Sequence, residues 1–371
     1  MKKKLVAIIL VLALSLGLTA CAGGSTTPEK VELPQYKVGV ILYNLSNDWA
    51  LNIMKSIEYL GSNLNVTFDY AVGGTDPEQT ITAAQNFGAA GIDGIINLHP
   101  GMIMPTLIEI CEQYEMYIVT SNDPANAHPE YGTFSKSKFF AGEVWEDDFA
   151  MAYTIAEDMI KTHGAKTFAL TGFPFGLADQ MDKRLNGAKK AIEDNGATLL
   201  AEGLSFDKAS AAANIVSQYP DIDAIFSSVE SISTVYQPLV NAGLGDKVLL
   251  NCYDPGEGAL EAMEEGVVNY AVEGTLADSM IAFVLLYNAM SGNRMTDADG
   301  NAASIEMEYV LAKSHEDFVN IQKYITGDSA PFTIDELKPF IKVLNKDAKL
   351  EGLTEFAQGF SLESVMARHG G

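Results

Sequence analysis

Cysteine, histidine and positive charge are all scarce in this chain. Cys21, Cys111 and Cys252 are its three cysteines in 371 residues. Three thiols without C-x-x-C spacing cannot build a disulfide framework or a thiolate metal site. Cys111 falls in a predicted helix and Cys252 in an apolar strand, where buried, inert thiols are expected. The five histidines are scattered without ligand spacing, so neither a metal nor a cofactor is expected. Lysine and arginine number 24 against 49 acidic residues, a formal charge of −25. So acidic a body repels phosphate backbones and anionic headgroups, which excludes nucleic acid as a partner. Beyond residue 18 no apolar run is long enough to span a bilayer. The catalytic signatures G-x-S-x-G, H-E-x-x-H, G-x-G-x-x-G and the P-loop are also missing, and no enzyme is expected. Paired carboxylates doing glycosidase chemistry are the one enzymatic alternative.

What is present begins at the N-terminus. Lys2, Lys3 and Lys4 precede an apolar run from Leu5 to Leu18, broken by Ser15 and Gly17. That is the anatomy of a secretory signal, too short for a stable spanning helix. It ends in Leu18-Thr19-Ala20-Cys21, which resembles a bacterial lipobox. The resemblance implies removal of residues 1–20 and lipidation of Cys21, with 21–35 as a flexible tether. Acyl chains would hold the mature protein outside the cytoplasm on the cell membrane. An ordinary secretory signal with a chance cysteine is the alternative.

The body repeats itself. Val38–Leu42, Gly94–Asn97 and Tyr117–Thr120 are near-continuous apolar runs, as parallel strands covered on both faces require. Between them Trp49, Ile53, Ile57 and Leu60 recur at helical steps, and 76–87 and 102–114 behave alike. The pattern then restarts. Thr167–Thr171 matches the first strand, and Ile222–Phe226 echoes Ile92–Ile96. Val248–Asp254 echoes Tyr117–Asp123, which sets Asp254 against Asp123. A repeat of about 130 residues indicates two similar lobes rather than a solenoid. The expected fold is α/β, two doubly wound parallel-sheet lobes with a ligand cleft between them. Later, Asp278–Met290 reads as a helix, Asp297–Gly300 as a plain turn and Ile305–Leu311 as one strand.

These features together resemble the type I periplasmic binding proteins of the ribose- and galactose-binding group. The segments Lys37–Trp49, Gly91–Asn97, Val119–Pro124, Arg184–Gly187 and Tyr253-Asp254 carry the resemblance by their order and spacing. It implies a three-strand hinge. It divides the chain into a first lobe of 36–133 plus 275–308, a second of 134–274 plus 309–345, and an extension at 346–371. It also implies a ligand set: Asn47, Trp49, Asn97, Asn122, Asp123, Arg184, Phe206 and Asp254. Tyr43 and His99 lie near strand ends and could line the cleft. Carboxylates, amides and a guanidinium suit a polyol, whose hydroxyls both donate and accept, while aromatic faces cover its C–H side.

Each position has a structural alternative. Asn47, Asn122 and Asp254 could cap the following helices. Trp49 and Phe206 could be core, His99 structural, and Arg184 a surface partner of Asp179 or Asp182. The chain also departs from the family pattern. Ala50 replaces an aromatic, Val229-Glu230 a polar pair and Asp123 a cation, and Glu273 or Gly274 stands near an expected Gln. Glu230, Asp123 and Asp254 could therefore receive a cationic or strongly donating ligand. The expected function is capture of a small polar, sugar-like solute by hinge closure. Delivery would be to ABC permease subunits, from a monomer with no cofactor. The alternative is a sensor presenting a signalling furanose, a nucleoside or a cationic solute to a membrane receptor. A DNA-binding repressor of related fold is excluded by the secretion signal.

Overall fold

The computed structural model describes residues 32–98, 101–122, 124–327 and 330–370. The expected signal, Cys21, most of the tether, His99 and Asp123 lie outside the described residues. Two six-stranded sheets organise the body. In chain order the strands are β1 (Tyr36–Leu42), β2 (Val66–Val72), β3 (Gly94–Asn97), β4 (Tyr117–Asn122), β5 (Phe140–Glu146) and β6 (Thr167–Gly172). They continue with β7 (Thr198–Leu204), β8 (Ala224–Ser227), β9 (Leu249–Tyr253), β10 (Tyr270–Glu273), β11 (Ala303–Met307) and β12 (Val310–Ala312). The sheets run β11-β5-β4-β3-β1-β2 and β12-β10-β9-β8-β6-β7. Every pairing is parallel except the antiparallel β10–β12 edge.

The repeat has a visible physical basis. Asp93 precedes β3 and its Oδ2 accepts from the Lys37 amide at 2.8 Å. Asp223 precedes β8 and its Oδ2 accepts from the Lys166 and Thr167 amides, each at 2.9 Å. Each aspartate pins its strand to the start of a neighbour, β1 or β6. At the opposite ends, Asn122 (φ 75°) and Asp254 (φ 47°) both take the left-handed conformation that turns the chain out of its strand. Short polar side chains tolerate it best. This backbone equivalence corrects the sequence echo: Asn122, not Asp123, is the counterpart of Asp254.

The chain crosses between sheets three times: after β5, between β10 and the helix Thr275–Met290, and between β11 and β12. The first sheet therefore runs on to Glu146, beyond the expected boundary at 133/134. The strand expected over Ile305–Leu311 is two strands, one in each sheet, because that segment is the third crossing. The helix Thr275–Met290 is buried from Thr275 to Ala289, which requires cover on all sides. It packs on β3, β4 and β5 and on the helix Asp48–Leu64. The chain's tail supplies further cover. Buried Asn288 donates to the Phe340 carbonyl at 2.9 Å and accepts from the Lys342 amide at 2.8 Å. The Ile334 amide donates to the Tyr59 hydroxyl at 3.0 Å. The segment around 334–342, expected with the second lobe, thus docks on helices of the first. The Asp297–Gly300 turn is closed by its own aspartate, whose carboxylate accepts from the Asp299 and Asn301 amides. Cys111 and Cys252 are buried free thiols, and burial pushes the Cys252 pKa up to about 12.

Candidate functional site

In each sheet the strand order reverses direction beside the first strand of its lobe, between β1 and β3 or between β6 and β8. Ligands of doubly wound sheets bind beyond the carboxyl ends of strands at such points. The carboxyl ends of the two sheets face one cavity of about 570 Å³. The first lobe lines it with Tyr43, Asn47, Asp48, Trp49, Thr75, Leu98 and Asn122. The second contributes, among others, Phe173, Gln180, Met181, Arg184, Val229, Glu230, Ser233, Asp254 and Glu257.

The first lobe's contribution hangs on the start of one helix. Asn47 caps Asp48–Leu64, its side chain accepting from the Ala50 amide at 3.0 Å. Asn47 is therefore a helix cap that also lines the cavity. Trp49 is half-buried, and its indole N–H donates to the Thr275 hydroxyl at 2.8 Å, which fixes the ring against the hinge. Asn122 is buried at the end of β4, accepting from the Ser121 hydroxyl. Across the cavity the Asp48 carboxylate accepts from the Glu257 amide at 3.0 Å, a direct bond between the lobes.

The second lobe's contribution centres on Arg184, which is 3% exposed. Its Nε donates to Asp148 at 2.6 Å, Nη1 to the Ser228 carbonyl at 3.2 Å and Nη2 to the Tyr309 hydroxyl at 2.9 Å. The guanidinium lies over the Tyr253 ring, 3.9 Å from its centre. Tyr309 in turn donates to the same Asp148 oxygen at 2.7 Å. Three of the five guanidinium N–H groups are committed to these partners, and Arg184 also lines the cavity. Burial pushes the Asp254 carboxyl above its ordinary range, opposed by the nearby Arg184 charge. Glu273 is held well above its range by burial and then by Asp254. Glu230 accepts from the Ser233 amide and hydroxyl, so its carboxylate caps the turn that follows.

Of the residues singled out in the sequence, Tyr43, Asn47, Trp49, Asn122, Arg184, Glu230 and Asp254 line the cavity together. Asn97 is buried at the end of β3 and lies outside the lining. Phe206 is 67% exposed and also lies outside it. Its ring rests against Phe173, which does line the cavity. Glu273 lines a smaller adjoining space instead. Arg184 is no surface partner of Asp179 or Asp182: Lys183 takes Asp179, and Asp182 accepts from the Gly176 amide. Sequence reasoning missed Asp148, Tyr309 and Phe173. Phe173 stands in the Gly172–Gly176 segment, whose two glycines bracket Phe-Pro-Phe at the end of β6, a signal for an aromatic strand-end loop. Among the described residues no group of side chains could hold a metal ion, and no helix is long and apolar enough to cross a membrane.

Comparison with known proteins adds a family. The family model described as a periplasmic binding protein domain matches residues 38–293. A solved ABC-transporter solute-binding protein from Actinobacillus succinogenes 130z, with bound D-allose, is similar with a TM-score of 0.66 at 19% identity, covering 77% of this chain and 100% of that one. A galactofuranose-binding protein is similar at 0.66 and 17%, covering 78% and 98%. The binding component of the arabinose transporter from Shewanella sp. ANA-3, bound to L-arabinofuranose, is similar at 0.64 and 17%, covering 77% and 95%. At these identities the likeness is one of fold. No curated protein matches the chain in sequence.

Proposed function

The chain belongs to the periplasmic binding protein domain family, and from that premise we propose that it captures a small polar, sugar-like solute between its lobes and delivers it to an ABC importer. The observation that carries the reading is the cavity itself. It lies where both sheets end, and it is lined from both lobes by amides, carboxylates, one guanidinium and aromatic rings. Such a lining satisfies hydroxyls that both donate and accept, and it rejects an analogue that would leave a buried group unpaired. Tyr43, Trp49 and Phe173 offer faces to the C–H side of a ring. Three crossings form the hinge, and closure around the ligand would generate the shape that permease subunits recognise. In this reading Cys21 carries the lipid anchor, and Asn47, Asn122, Arg184 and Asp254 bind the solute.

Titration calorimetry of the mature protein against neutral and amine-bearing hexoses, pentoses and furanoses, paired with small-angle scattering, tests capture. A ligand that both binds and compacts the protein is the expected result. A protein that binds none of them, or binds without any change in dimensions, would sink the reading. Deleting the gene and following labelled ligand tests delivery, with lost uptake as the expected result.

A further inference from the structure

The charges around the cleft do not balance. Asp48, Glu230, Asp254 and Glu257 line it, and among the described residues Arg184 is the one cation in the lining. The charge of Arg184 is already met by Asp148 at 2.6 Å. Lys208 eases Glu230 from outside the lining, its ammonium lying 3.8 Å from the centre of the Phe173 ring. Asp254 feels the Arg184 charge without an ion pair to it, and among the described residues Glu273 has neither an ion pair nor a cation acting on it.

A second space of about 20 Å³ shares Asp48, Trp49 and Asp254 with the cleft and adds Glu273 and Thr275. A cavity of that size holds one water-sized group. Glu273, the last residue of β10, is 8% exposed. Its carboxyl has neither a hydrogen bond nor an ion pair among the described residues, so a buried polar side chain stands without a partner beside this space. An unpaired buried carboxylate is costly, and burial together with Asp254 raises the Glu273 carboxyl well above its ordinary range. The group that fits is small, positively charged and rich in donors. An alkylammonium offers three N–H donors and a charge, whereas a hydroxyl offers one donor and none.

We propose that the ligand presents a protonated amine to the acidic end of the cleft formed by Asp48, Asp254 and Glu273, and is an amino sugar or a similar polyhydroxylated ring bearing an ammonium group. The assignment rests on the capture reading above and narrows it. An ammonium beside Glu273 favours its ionised form, so binding should be linked to release of protons to the buffer.

The test uses matched pairs: glucosamine with glucose, galactosamine with galactose, and mannosamine with mannose, with the N-acetylated amines as uncharged controls. For at least one pair the amine should bind about tenfold or more tightly than its neutral partner. Its binding heat should vary with the ionisation enthalpy of the buffer, and N-acetylation should abolish the advantage. Glu273→Gln should erase the preference for the amine. A neutral sugar that binds as tightly as its amine overturns the proposal and leaves capture standing. Binding of no member of any pair overturns capture of sugar-like solutes, and this proposal with it. An advantage that survives in Glu273→Gln, in a variant that melts like the parent, removes Glu273 from the site.

Discussion

The two lobes share a framework and differ in how they bury charge where they meet. In both, an aspartate before the third strand clasps the start of the first, and a left-handed residue turns the fourth strand toward the cleft. The second lobe then builds a paired centre, in which Asp148 meets Arg184 and Tyr309 above the Tyr253 ring. The first lobe has no counterpart among its described residues. On its side of the hinge Glu146, at the end of β5, faces Asp278 of the helix Thr275–Met290, acid against acid. Duplicated scaffolds keep what holds strands together, while the residues at the meeting faces are free to diverge. The second lobe lines the cavity with a fixed cation and several carboxylates, and the first with amides, two aromatic rings and the single carboxylate of Asp48.

Removing the second lobe's cation should have the largest effect on stability. Arg184→Leu leaves Asp148 fully buried with only the Tyr309 hydroxyl to answer it. Breaking one side of a buried pair costs about 3–5 kcal/mol, whereas replacing both sides with apolar groups is often neutral. Chemical denaturation should show that loss for Arg184→Leu and recovery of much of it in Arg184→Leu/Asp148→Leu. If the double variant is no more stable than the single, Asp148 is not the charge that Arg184 serves.

The acid pair of the first lobe should answer to pH instead. Burial lifts the Glu146 carboxyl well above its ordinary range, and the Asp278 and Asp148 charges add to this. Burial likewise lifts Asp278, whose pairing with Glu146 and the Ser279 amide opposes the shift. Arg184 and Tyr309 are the other ionisable groups facing the pair. Folded-state values above unfolded ones mean that the native protein binds more protons, so stability falls as pH rises. The pair's contribution is complete below about pH 4, near the unfolded values, and is lost as pH climbs through the raised folded ones. The two titrate as a unit. Melting temperatures between pH 5 and 9 should fall more steeply for the parent than for Glu146→Gln, by an amount worth on the order of 1 kcal/mol or more. Parallel pH profiles would show that the pair is not sharing a proton.

Most of the fold was legible because it rests on local signals that recur. Apolar runs and helical spacing marked the strands and helices, and their recurrence marked the lobes. The cavity lining was legible where residues sit at strand ends, as Asn122 and Asp254 do. The partners of Arg184 were not, since Asp148 and Tyr309 lie 36 and 125 positions away and meet it only through the hinge. The tail's return to the first lobe was hidden for a similar reason. It answers the all-round apolar helix Thr275–Met290, and the covering segment carries no periodicity that says which lobe it covers. Phe206 misled because an aromatic in a strand-end loop can rest on a neighbouring ring as well as on a ligand.

The smallest test bears on the shared framework, where the lobes are alike in design but unequal in strength. The Asp93 carboxylate accepts from one group, the Lys37 amide. The Asp223 carboxylate accepts from three, the Lys166 and Thr167 amides and the Thr167 hydroxyl. It titrates below the usual range because those donors outweigh its partial burial. A net hydrogen bond contributes about 1 kcal/mol, and both sites are partly open to solvent. Asp93→Ala should therefore cost about 1 kcal/mol or less, and Asp223→Ala about twice that. Native-state hydrogen exchange can place each loss: opening should ease in β1 for the first variant and in β6 for the second. Equal losses would mean that the single Asp93 contact does as much as three, and that the first sheet leans harder on this clasp than its hydrogen bonds suggest.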